Sequence, residues 1–326
     1  MPFYYFQKLF WTLLCLSIFL QPGNALPDTQ FRNFIISIPQ NEQKLGKIII
    51  DLLETHTPPL EQFFEISITD TIRVKILSGK KELAAYQKTG LPTWAAAAYL
   101  ANAKTMIVKS PAWAGSLQRL ETQFVHELIH AFVDAKFGKK KIPRWYNEGL
   151  AEYLSGQRLN LVNALKLANA RATGQLPGFD EIENVNNFPE SRAHLAYLES
   201  LSAIMYLQAQ IGETNWANFH NRICEFGWET ALHEFLGTDD IGFEVEWYKY
   251  VERNYRWLVV LNLDNLLWLA AVLVVLCGFF LMRLRNRRKL RRWEKEDRLN
   301  RQLPKPDETE EKTDTGNHAE NLPNDD

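Results

Sequence analysis

Disulfide chemistry is nearly missing from this sequence. Only three of its 326 residues are cysteine, and two of them, Cys15 and Cys277, lie inside apolar runs. Cys224 stands alone between those runs and can form no intrachain bridge with a neighbour in the same region, so that region must fold on an apolar core rather than on staples. An excess of one charge is missing as well. Thirty-seven basic residues against 39 acidic ones leave a formal net charge of −2, which gives no electrostatic reason to expect a nucleic-acid partner. No internal repeat is visible, which argues against solenoids and propellers. Histidine is scarce at seven residues, so a pair of them at a defined spacing carries information.

Long apolar runs are few, and each has a distinct reading. Residues 1–25 hold one lysine, Lys8, then an apolar run from Leu9 to Leu20, a breaker at Gln21-Pro22-Gly23, and small residues at Gly23 and Ala25. This is the pattern of a secretory signal peptide. A second run, LLWLAAVLVVLCGFFLM, covers 266–282 without a charge. Its length, roughly 25 Å as a helix, suits a transmembrane helix placed at 265–282, with Trp268 and the following arginines reaching the interfaces. Between Arg283 and Arg301 ten basic residues face three acidic ones. Basic flanks stay on the cytoplasmic side, so 26–257 is expected outside and 283–326 inside, the topology of a single-pass protein of a bacterial inner membrane. The end of the tail, PKPDETEEKTDTGNHAENLPNDD, is acidic and without aromatics, and reads as disordered.

The outer region, about 230 residues, suits one α+β domain whose second half is mostly helical. Leu26 to Pro59 reads as a lead-in helix with loops. EISITDTIRVKIL (Glu65–Leu77) alternates like a strand, KKELAAYQKTG reads as a helix closing at Gly90, and AAAAYLANAKTMIVKSP as a hairpin of Ala96–Leu100 and Thr105–Lys109. From Ser116 the apolar period becomes that of an amphipathic helix, through Leu117, Leu120, Phe124, Leu128 and Phe132 to Gly138. Pro143 opens the next helix.

That pair of helices carries FVHELIHAFVDAKFGKKKIPRWYNEGLAEYL. His126 and His130, four apart, project from one helical face and can bring two ring nitrogens to one ion. Glu127, beside the first, can hold a water on the ion's open side. A catalytic zinc needs a third protein ligand from an element that folds back, and the helix after Pro143 presents Glu148. Glu152, one turn on, suits a carboxylate that accepts the outer N–H of a ligand histidine, with Asp134 a second candidate for that part.

HELIH followed by PRWYNEGLAEYL resembles the peptidase MA-like branch of the gluzincin metallopeptidases. The resemblance, taken over Glu65 to Tyr255, implies a thermolysin-like zincin fold: a small sheet packed on the active-site helices, with an edge strand, here Thr105–Val108, lining the cleft. It implies zinc on His126, His130 and Glu148, Glu127 as general base, Glu152 as the carboxylate behind a ligand histidine, and a protein or peptide substrate outside the cytoplasm. A second donor for the developing oxyanion is expected from Tyr197 or His194; the resemblance favours Tyr197. The GxMEN-type stretch of the zinc aminopeptidases is absent, which favours an endopeptidase. A catalytically inactive zincin-fold protein that binds a peptide or scaffolds a membrane complex is the rival expectation.

Overall fold

The computed structural model describes residues 29–39, 42–87, 92, 94–261 and 263–302. The expected signal peptide and the acidic end of the tail lie outside these residues. The chain divides into two units, one up to Asn262 and one from Leu263 onward.

The first unit is α+β with a small mixed sheet. Strands β1 (Thr29–Phe31) and β2 (Phe34–Ser37) form an antiparallel hairpin; β3 (Ile72–Leu77), β4 (Ala97–Leu100) and β5 (Thr105–Lys109) complete the sheet. The strand order is β1-β2-β3-β5-β4, with β2, β3 and β5 parallel and β4 antiparallel to β5. The expected edge strand is therefore corrected: β5 lies between β3 and β4, and Ala97–Leu100 is the edge. The tight link through Ala101–Ala103 and Lys104, at φ 45°, folds β4 outward against β5.

Helix α1 (Lys44–Phe64), the lead-in helix expected before Pro59, runs on through Pro58 and Pro59. The two rings remove backbone donors, but Ile49, Leu53, Leu60 and Phe64 are buried along the same helix, and that burial outweighs the lost bonds. Inward side chains of the sheet, Phe34, Ile36, Ile72, Val74, Ile76, Met106 and Val108, share one core with α1 and the later helices. On the other face Ile107 and Leu77 meet Leu83 of α2 (Lys80–Gln87). After the short α3 (Pro111–Ala114), Ser116 caps α4 (Leu117–Phe137) by accepting from the Arg119 N–H at 3.1 Å. Gly138, at φ 58°, ends α4 as expected, and α5 (Arg144–Leu154) begins after Pro143.

The remainder is helical: α6 (Leu161–Ala172), α7 (Phe179–Ile182), α8 (Glu190–Ile211), α9 (Trp216–Phe226), α10 (Trp228–Leu236) and α11 (Asp240–Tyr255). Helices α5 and α8 approach so closely that a Cβ on Gly149 would lie 2.4 Å from the Ser200 carbonyl oxygen. Trp145, Phe179 and Phe243 stack behind α5 at 4.6 and 5.2 Å between ring centroids and fix its outer side.

The described part of the second unit is one helix, α12 (Leu263–Gln302). Within it Leu267–Leu299 is long and apolar enough to cross a membrane, with a mean hydropathy of 2.4 over its most apolar window. The helix continues without a break through the basic run to Gln302.

Candidate metal centre

Helix α4 is held against the sheet by Phe124, Leu128 and Phe132, all fully buried, and this turns His126 and His130 toward α5. Helix α5 packs across α4 and delivers Glu148, which is only 2% exposed. His126 Nε2 lies 3.1 Å from His130 Nε2, and each lies 3.4 Å from Glu148 Oε2. Ligand atoms at three corners of a tetrahedron around an ion, each about 2.0–2.1 Å from it, stand about 3.3–3.4 Å apart. The observed triangle fits that face. The three donors form the His/Glu group among the described residues that can hold a metal ion.

Each donor is held from behind. His126 Nδ1 faces Glu152 Oε1 at 3.5 Å, as the sequence predicts. His130 Nδ1 lies 2.8 Å from Asn147 Oδ1, which fixes that ring with Nδ1 donating and Nε2 turned inward. The second oxygen of Glu148 accepts from Arg144 Nε at 2.7 Å. Asn147 and Arg144 were not singled out in the sequence, although both lie within its PRWYNEG segment; the available signals were the position next to Glu148 and the i, i+4 spacing of an ion pair. Asp134 takes no part: it accepts from Tyr99 Oη at 2.7 Å and Lys104 Nζ at 2.8 Å, and so ties β4 and the β4–β5 link to α4.

The charges respond to this crowding. Burial alone would raise the Glu148 pKa, but Arg144 and the two histidines hold it well below the usual carboxylate range. Burial alone would lower His126, yet Glu148, Glu152 and Glu127 outweigh it and raise the ring to about 9. Burial raises both Glu127 and Glu152, with the histidines opposing. Glu127 also receives a backbone hydrogen bond from Tyr99 of the edge strand, which pulls in the opposite direction to burial.

Two cavities of about 280 and 290 Å³ meet at this centre, and both are lined by Trp94, His126, Glu127 and Tyr197. The first runs along β4 toward Arg144 and Asn147; the second runs toward Arg119, Glu152 and His194. Tyr197 of α8 lies edge-on to His126 at 6.3 Å between centroids, with its hydroxyl pKa raised by burial and then by Glu148. His194 sits a turn earlier on α8, exposed at the second cavity, its pKa lowered by desolvation. The structure thus gathers His126, Glu127, His130, Glu148, Glu152 and Tyr197 at one place.

Comparison with known protein families finds none whose pattern matches this chain, and no curated protein matches it.

Proposed function

We propose that this chain is a membrane-anchored zinc metallopeptidase of the gluzincin type, with a thermolysin-like arrangement of sheet and helices. The observation that carries this reading is the triangle of His126, His130 and Glu148 donors with Glu127 buried beside it. Two imidazoles and one carboxylate are the donor set of a catalytic rather than a structural zinc, which usually takes four protein ligands and leans on cysteine. Bound there, zinc would supply Lewis acidity toward a substrate carbonyl and lower the pKa of a coordinated water.

The residues of the chain do the rest. Glu127 accepts a proton from the attacking water and returns it to the leaving amine; burial raises its pKa, which favours the uptake of that proton. With an ion bound, Asn147 and Glu152 would accept the outer N–H of His130 and His126 and so leave Nε2 of each ring for the ion. Tyr197, its pKa raised and its ring beside His126, stays protonated and can donate to the developing oxyanion.

Strand β4 suits an extended peptide. Its pairing to β5 leaves alternate backbone groups, those of Ala97 and Tyr99, turned away from the sheet, and Tyr99 N–H already points to Glu127. A substrate laid along Ala97–Tyr99 as an added strand would carry its peptide bonds past Glu127. The apolar stretch of α12 suits a membrane anchor, and its basic continuation suits a cytoplasmic end, which supports a site on the outer side.

The test is Glu127→Gln, which keeps nearly the same shape and cannot take the proton. The variant should retain one zinc per chain while peptide hydrolysis falls by about 10²–10⁴-fold. Hydrolysis at the wild-type rate would remove the mechanism and, with it, the enzyme reading.

A further inference from the structure

Arg144 has two ends with different partners. Its backbone N–H is held by Glu183 at 2.8 Å, and its Nε by Glu148 at 2.7 Å. Its two terminal nitrogens have no protein partner among the described residues, and the side chain lines the first cavity while staying about a third exposed. The fork is therefore fixed in place at one end and open at the other. A fixed guanidinium fork with two free N–H donors in a cleft matches the two oxygens of a carboxylate.

The surrounding charge agrees. The same cavity contains a second cation, Lys140, whose ammonium has only a long contact, 3.4 Å, to the exposed Glu225 carbonyl oxygen. Its one carboxylate away from the metal centre, Asp134, is already matched by Lys104 and Tyr99. The other anions near Arg144 are already engaged: Glu148 by the Arg144 Nε and both histidines, Glu183 by the Arg144 backbone N–H, and Glu127 by the Tyr99 backbone N–H. This part of the cleft thus keeps two guanidinium nitrogens and one ammonium without a close anionic partner.

We propose that Arg144 forms a carboxylate-binding subsite in this part of the cleft, so that the preferred substrate presents a carboxylate there. This rests on the peptidase reading for its role but not for its test. The carboxylate can come from a chain terminus or from an aspartate or glutamate side chain, and the experiment separates the two.

Binding is read by calorimetry on the full chain in detergent, with and without zinc. Three probes of equal length are compared: an N-acetylated neutral peptide with a free C-terminus, its C-terminal amide, and an amidated peptide with one internal glutamate. Wild type should bind a carboxylate-bearing probe at least about tenfold tighter than the neutral amide. Preference for the first identifies a terminus, and preference for the third an acidic side chain. Arg144→Lys keeps a cation beside Glu148 but loses the fork, and should bind all three alike. Equal binding of the three probes by wild type overturns the proposal, whatever the variant does. A carboxylate preference retained in a folded, zinc-binding Arg144→Lys also overturns it. Failure of the wild type to hydrolyse any peptide would remove the peptidase reading and leave this comparison standing.

Discussion

At the scale of the residue, the account depends on which side chains touch the centre. His130→Ala removes one corner of the donor triangle, and metal analysis of the purified variant should show loss of stoichiometric zinc. Glu152→Ala and Asn147→Ala leave the triangle intact and release one ring each. Each should weaken zinc binding by about 10–100-fold in competition against a chelator of known affinity, less than loss of a ligand. Unchanged affinity and activity in Glu152→Ala would make it a helix residue with no part in the site. The grouping of His126, His130 and Glu148 was legible in the sequence because a helix puts positions four apart on one face, and the turn after Gly138 brings the next helix back. Arg144 and Asn147 were not, because their partners are single atoms whose place depends on how α5 crosses α4. Asp134 shows the reverse error: helical periodicity set it one turn past His130, but the distant Lys104 and Tyr99 capture it.

At the scale of the element, the position of Glu148 depends on how near α5 comes to α8. Gly149 permits that approach, since a methyl group there would collide with the Ser200 backbone and the Ile204 side chain, at 2.4 and 2.5 Å. Gly149→Ala should therefore cost about 1–3 kcal/mol in thermal or denaturant unfolding and disturb the site with it. Helix α9 contributes a different sensitivity. His220 is fully buried, stacks on Phe64 at 5.4 Å, meets Tyr146 Oη at 2.9 Å, and has its pKa lowered to about 3 by burial. The unfolded chain takes up a proton near pH 6.5 that the folded chain refuses down to about 3. Stability is thus unaffected by this group above about 6.5 and falls as the pH drops below it, by an amount on the order of a few kcal/mol. His220→Gln should flatten that part of the stability–pH curve; an unchanged acid slope would mean the ring is not buried neutral. Among the elements, α4, α5 and the β4–β5 hairpin were legible from period and turn signals. Strands β1 and β2 were not, since three or four residues are too few to show a period, and the edge strand was misplaced because order in a sheet is not order in the chain.

At the scale of the whole molecule, the two units carry separate claims. The topology claim is checked by reporter fusions at Tyr250 and at Glu310: the first should report outside the cytoplasm and the second inside. A cytoplasmic signal at Tyr250 would reverse the localisation and the class of substrate with it. The α+β class and the apolar helix were legible from composition and runs alone, whereas the sheet's mixed topology arises from long-range pairing that no local pattern carries. The central claim, that the site is a metal-dependent peptidase, is tested most directly by one titration. The full chain in detergent is stripped with a chelator, zinc is added back in sub-stoichiometric steps, and cleavage of a mixed peptide library is followed by mass spectrometry. Cleavage should be absent in the stripped protein, rise with each addition, level off at one zinc per chain, and fail to return in Glu127→Gln. Cleavage that persists in the stripped protein, or none at any zinc concentration, would contradict the account.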